Sequence, residues 1–210
     1  MSRAKNPLLS SRKQPQQTRS TNLVAAILEA ATQVLAKEGA QRFTTARVAE
    51  KAGVSVGSVY QYFPNKTSIL FTLQSEEWRQ TTDLLGKILG DVSQPQLTRL
   101  RTLVHAFIRS ECDEAQMRVA LNDAAPLYRD APEAHAAHAA GDRIFQTFLG
   151  EILPKASKDT RVLVADLLTT TLSTVSKNFS ESPRTPAQIQ VYGDAMADMF
   201  CAYVTQLQRL

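Results

Sequence analysis

Residues 44–63 read Thr-Thr-Ala-Arg-Val-Ala-Glu-Lys-Ala-Gly-Val-Ser-Val-Gly-Ser-Val-Tyr-Gln-Tyr-Phe, a stretch whose residue types and spacing point to a definite chemistry. Ala49 is small where one helix must approach another. Gly53, four residues on, suits the left-handed backbone of a tight turn. Val54 and Val59 are apolar where two helices pack, and Ser55 carries the side chain of an N-cap. The outward set is then Val56, Gly57, Ser58, Gln61 and Tyr62. Short, amide and phenolic side chains on an exposed helix suit a major groove, where base edges are read by hydrogen bonds and methyl contacts. A plain helical hairpin with a glycine turn shares any one of these features, but not the ordered set Ala49, Gly53, Val54, Val59. The expected chemistry is non-covalent reading of double-stranded DNA.

Other reactive groups are sparse. His135, His138 and Asp142 fall three and four residues apart, a spacing that can bind a metal. The surrounding residues 134–140 are otherwise alanine and no fourth ligand is near, so a solvated helix face is expected and no metal. Cys112 and Cys201 lack metal-ligand spacing, and two cysteines make no disulfide framework. There is no Gly-x-Ser-x-Gly elbow, phosphate-binding glycine loop or His-Glu-x-x-His. No catalytic residue and no cofactor is therefore expected. A helical-bodied enzyme with a basic head and a helical adaptor for acidic protein remain as competing classes.

Charge divides sharply along the 210 residues. Residues 1–66 hold ten Lys/Arg against three Glu, and residues 67–210 hold fourteen Lys/Arg against seventeen Asp/Glu. A basic end on a slightly acidic chain is the footprint of a nucleic-acid-binding head, because phosphate neutralisation dominates such affinity. No apolar run approaches the ~20 residues of a membrane span, and the basic start has no apolar stretch of a secretory signal. A cytoplasmic location is the expectation.

The elements that must position the reading helix are all helical, with no alternating strand pattern. Residues 1–19 are expected to be a disordered basic tail. Val24, Ile27, Leu28, Ala31, Val34 and Leu35 form one face of a first helix that Gly39 stops. Asn65 caps a long helix to about Gly90. Later starts are read at Ser93–Pro95, at Asp113 with Gln116, at Asp130 with Glu133, at Ser157 and at Thr185–Pro186. About nine helices result, with a head at 20–66 and a body at 67–210.

Residues 22–75 resemble the DNA-binding domain of the TetR family. The likeness rests on Lys37-Glu38-Gly39, Phe43-Thr44-Thr45, Val48-Ala49-x-x-Ala52-Gly53-Val54-Ser55 and Gly57-Ser58-Val59-Tyr60-x-Tyr62-Phe63-x-Asn65-Lys66. It implies that Thr45 and Tyr62 touch phosphate, that Lys66 clamps one at a helix start, and that Val56, Gly57, Ser58 and Gln61 face the groove. Tyr60 packs or touches backbone in such proteins, and Arg47, standing where many members carry a polar residue, is a further candidate DNA contact. Val56 is apolar where some carry a polar base-reader, so a contact there goes to a thymine methyl.

The resemblance further implies a homodimer on a palindromic operator, released by a small-molecule effector; an activator of the same fold stays open. Dimerisation through the last two helices is expected, with Leu168, Leu172, Val175, Met196, Met199, Phe200 and Tyr203 as the interface. A row of small residues, Gly193, Ala197 and Cys201, would let another helix come close. Trp78, His105, Phe107, Met117, Asn122, Tyr128, Phe145 and Phe148 are candidates for an effector pocket, weighed against plain core packing, the commoner role of such residues at helical spacing. Their apolar character favours a lipophilic or aromatic compound.

Overall fold

A computed structural model describes residues 18–127 and 132–209, apart from the side chains of residues 18, 19, 133, 137 and 138. The expected tail 1–19 (save the backbone of Thr18 and Arg19), the Asp130–Glu133 cap and Tyr128 lie outside this description. The described residues form nine α-helices and a short 3₁₀ turn, with no strand among them. The helices are α1 Thr18–Arg42, α2 Thr45–Ala52, α3 Val56–Tyr62, α4 Lys66–Leu89, α5 Gln96–Asp113, α6 Ala115–Ala124, α7 Pro132–Ile152, α8 Lys158–Ser180 and α9 Pro186–Gln208.

Local chemistry sets most boundaries. Gly39 breaks α1 with φ 73°, ψ 170°, after which the chain makes a last turn to Arg42. The Arg47 N–H donates to Thr44 Oγ1 at 3.3 Å and caps α2. The Ser68 N–H donates to Asn65 Oδ1 at 2.9 Å and caps α4, and Ser157 caps α8 in the same way at 3.1 Å. Thr185 and Gln188 cap α9 reciprocally, with Pro186 in the first turn.

Two expected starts are corrected. Ser93 does not cap α5: its N–H and Oγ both donate to Asp91 Oδ1, at 3.1 and 2.6 Å. The nearer carboxylate captures Ser93 in a turn, and α5 begins after Pro95 without a side-chain cap. Asp113 does not open α6 either, because α5 continues through it and Glu114 alone separates the two helices.

Contacts divide the chain into two compact units. The first takes the chain up to Trp78 together with 116–135, and the second takes 79–115 and 136–210. The first unit is built on Ile27, Ala31, Leu35, Phe43, Val48, Val59, Phe63, Ile69 and Leu70, joined by Ala120, Leu121 and Ala124 of α6. Trp78 packs on this core and meets Phe71 edge-on, ring centroids 6.4 Å apart. Within the same unit Arg118 of α6 pairs with the buried Glu77 of α4 at 2.5 Å, and Gln74 donates to Glu77 at 2.9 Å. The head's core thus draws on residues well beyond 66.

In the second unit α5 packs along α8 and α9. Its core includes Leu100, Leu103, Val104, Ile108, Phe145, Phe148, Leu149, Val164, Leu168, Leu172, Met196 and Phe200. Arg99 is buried here. It donates to the Leu89 carbonyl at 2.6 Å, pairs with Glu151 of α7 and lies over the Phe148 ring. That ties the end of α4 to α7 with one guanidinium.

Candidate nucleic-acid interface and body surfaces

The helix-turn-helix is built by α2 and α3. Gly53 takes φ 67°, ψ 31°, and its N–H bonds back to carbonyls of Ala49 and Glu50. A β-carbon is disfavoured in that left-handed conformation, so the turn selects glycine. Val54 N–H donates to the Ala49 carbonyl at 3.0 Å, which closes the turn and places Ser55 to cap α3. The Ser58 N–H reaches Ser55 Oγ at 3.0 Å. Val59 and Phe63 go inward and hold α3 on the core.

Val56, Gly57 and Gln61 are exposed on α3, as their assignment to the groove requires. Ser58 is half-buried, and its hydroxyl lies 2.8 Å from Ser55 Oγ. Lys66 is exposed at the first residue of α4. Thr45 opens α2, and its Oγ1 is 3.2 Å from the Tyr60 hydroxyl. The two hydroxyls form one polar point that joins the start of α2 to the last turn of α3.

The tyrosines require a correction. Tyr62, expected on the outward face, is 8% exposed and packs in the head core, whereas Tyr60 is 42% exposed. The sequence held the signal. Tyr62 follows the core residue Val59 by three positions and so shares its face, while 56, 57, 60 and 61 share the opposite one. Tyr60, with its hydroxyl beside Thr45, takes the outward place that the sequence reading gave to Tyr62.

Arg47 is ion-paired with Glu38 of α1. It belongs to an open cleft of about 850 Å³ between α1 and α2, lined also by Gln33, Lys37, Arg42, Glu50 and Lys51. Its charge there stitches the two helices together. Of this lining the sequence reading gave a functional role to Arg47 alone.

The expected effector-pocket residues fall in both units. Phe145 and Phe148 are buried against each other in the body core, T-shaped at 6.3 Å. Asn122 is exposed, and Trp78 and Met117 pack on the head core. His105 Nε2 lies 3.1 Å from Asp194 Oδ1, in position to donate to it, and Phe107 is half-buried in the body. They are largely core because aromatic residues at helical spacing usually fill a core.

The dimer assignment also changes. Leu168, Leu172, Met196 and Phe200 are buried within their own chain, and Val175 and Tyr203 pack beside them. Only Met199 of the expected set stands out, 53% exposed. The exposed large apolar side chains of α8 and α9 are instead Val162, Leu163, Leu167, Val191 and Met199. The small-residue row serves α5 of the same chain. A β-carbon on Gly193 would stand 2.5 Å from His105 Nδ1, Ala197 is fully buried, and Cys201 Sγ lies 3.7 Å from the Leu97 carbonyl.

Burial raises the pKa of both thiols, Cys112 and Cys201, and so disfavours the nucleophilic thiolate. His135 is exposed and the side chain of His138 lies outside the described residues. Among the described residues no cluster of three or more His, Cys, Asp or Glu could hold a metal, and no helix is long and apolar enough to cross a membrane.

A capped helix-turn-helix on a basic head, followed by an all-helical body, defines a DNA-binding regulator. Residues 27–73 match the N-terminal domain of the tetR family of bacterial regulatory proteins, and residues 95–207 match a tetracyclin repressor-like C-terminal domain. The chain belongs to the TetR family. It is 32% identical over 90 residues to the nucleoid occlusion factor SlmA of Alteromonas mediterranea, covering 43% of this chain and 46% of that protein. It is 39% identical over 54 residues to the fatty acid metabolism regulator protein of Bacillus subtilis, 26% of this chain and 28% of that one. The chain thus matches less than half the length of these curated relatives. Among solved structures, FadR of Bacillus subtilis in complex with stearoyl-CoA superposes with a TM-score of 0.68 at 15% identity, covering 85% of this chain and 98% of that one. A putative TetR-family regulator of Mesorhizobium loti gives 0.68 at 18%, covering 89% and 98%. At such identities the likeness is one of fold.

Proposed function

We propose that the protein is a homodimeric repressor that binds a pseudo-palindromic operator and is released by a lipophilic small molecule. The observation that carries the DNA half is the outer surface of α3. Val56, Gly57, Tyr60 and Gln61 are exposed side by side on a helix otherwise anchored by Val59 and Tyr62. Thr45 and Lys66 flank it with a hydroxyl and a positive charge at helix starts, groups that suit phosphate. Thr45, Val56, Gly57, Gln61, Tyr60 and Lys66 form the proposed contact set, with Ser58 and Arg47 committed to partners inside the head.

Two-fold pairing is supported by Leu163, Leu167, Val191 and Met199, apolar and exposed on α8 and α9. Two identical heads then read inverted half-sites one helical turn apart. The lipophilic effector is supported by the relatives, one a fatty acid metabolism regulator and another solved with stearoyl-CoA. Selection of random duplexes by the purified protein tests the proposal. It should enrich an inverted repeat, and long-chain acyl-CoA should then release the selected duplex. Enrichment of a site without two-fold symmetry would refute the dimeric reading.

A second reading is favoured by the matches to nucleoid occlusion factors. It shares the DNA head and differs in where sites lie. A repressor's sites sit in a few promoters, and mapping bound sites across the genome separates the two.

A further inference from the structure

Gly57 lies in the first turn of α3 with ordinary helical backbone and is exposed. Glycine is less favourable than alanine inside a helix, so its presence there needs a reason. Neither of the usual reasons applies. Its φ is not positive, since only Gly39 and Gly53 have that conformation among the described residues. Nor does packing demand it: a β-carbon built at 57 meets only Ser55 Oγ, at an ordinary 3.7 Å. The contrast with Gly193 is instructive, where the same construction collides with a ring. Inside its own chain, position 57 would accept alanine at no steric cost.

We infer that the missing side chain at Gly57 serves an object outside the chain, and that Gly57 is a positioning residue for DNA. A β-carbon at 57 would project on the same stripe as Gln61, one turn along. It would be the first atom to meet a base-pair edge. Its absence lets α3 sit deeper in the major groove, which brings the methyl groups of Val56 and the amide of Gln61 to the bases. Backbone approach of this kind is a use of glycine that neither cap nor core explains. The inference rests on the DNA-binding reading above and specifies the depth at which the helix docks.

The test compares the wild-type chain with Gly57→Ala on the duplex that wild type selects. Relief of the helix-disfavouring glycine should leave the thermal midpoint unchanged or raise it, by up to about 4 °C. Affinity for the selected duplex should fall about tenfold or more, the scale of one spoiled base contact. Gly57→Leu should weaken binding further. A merely structural glycine predicts the opposite pattern, with stability lost first. Unchanged affinity for both variants overturns the inference, and so does a lowered midpoint for Gly57→Ala. If wild type itself selects no duplex, the DNA-binding reading fails and the inference falls with it. If wild type selects one and Gly57→Ala binds it equally, only the inference fails.

Discussion

Two neighbouring residues on α9 separate the inside of the body from its proposed partner face. Phe200 is 2% exposed in the core and Met199 is 53% exposed. Glutamate at 200 removes a buried ring, worth about 3–5 kcal/mol, and puts a carboxylate in its place at a further cost of several kcal/mol. Against a total stability of about 5–15 kcal/mol, that is enough to unfold the body. Glutamate at 199 meets solvent in the monomer, where such a change is worth about 0.5 kcal/mol or less. In a two-fold interface it enters twice, once from each copy. Desolvating both carboxylates among Leu163, Leu167 and Val191 should cost about 3 kcal/mol or more. That raises the dimer dissociation constant by about 10²-fold or more. Sedimentation velocity and circular dichroism read the two effects separately. Met199→Glu should be a folded monomer, and Phe200→Glu should lose helicity and cooperative melting. A Met199→Glu chain that stays dimeric at low micromolar concentration would refute the assignment of this face. A folded, dimeric Phe200→Glu would refute the burial on which the correction rests.

The tyrosine assignment predicts that Tyr60→Ala weakens DNA binding with little change in melting, while Tyr62→Ala costs about 3–5 kcal/mol of head stability; reversal of the two in calorimetry and titration would restore the sequence expectation. Replacing one thymine of each half-site by deoxyuridine, which lacks only the methyl, should weaken the wild-type complex and leave Val56→Ala indifferent. Equal losses for both proteins would remove Val56 from the reading set. Lys66→Ala should lower affinity for all duplexes alike and reduce the salt slope by about one, measured by anisotropy from 50 to 200 mM salt. The hydrogen bond and charge of Arg99 hold the Glu151 carboxyl below its ordinary pKa. A lowered folded value means stability present above the unfolded pKa and lost as pH falls through the folded one. Between pH 6 and 3 wild type should therefore lose more stability than Glu151→Gln, and parallel denaturant midpoints across that range would contradict the pair.

The sequence alone determined the helices and the turn, because those are local matters. Caps at Thr44, Asn65, Ser157 and Thr185 act within three residues, and Gly53 is selected by its own backbone angle. The ordered pattern of residues 44–63 made the DNA-binding head legible for the same reason. Tertiary structure decided which side of each amphipathic helix is inside when more than one side is apolar. Residues 167, 168, 199 and 200 are all apolar, and only packing against α5 buries 168 and 200 while leaving 167 and 199 outside. The roles of Tyr60 and Tyr62, by contrast, are legible in the sequence, since Tyr62 shares a helix face with the core residue Val59 and Tyr60 does not. The row of small residues on α9 was visible as permission for a close helix, but periodicity cannot say whose helix comes. The ring of His105 against Gly193 shows that the chain uses it for its own α5. Hydrophobic burial is non-directional and proportional to area, so which neighbour supplies that area is a property of the assembled fold.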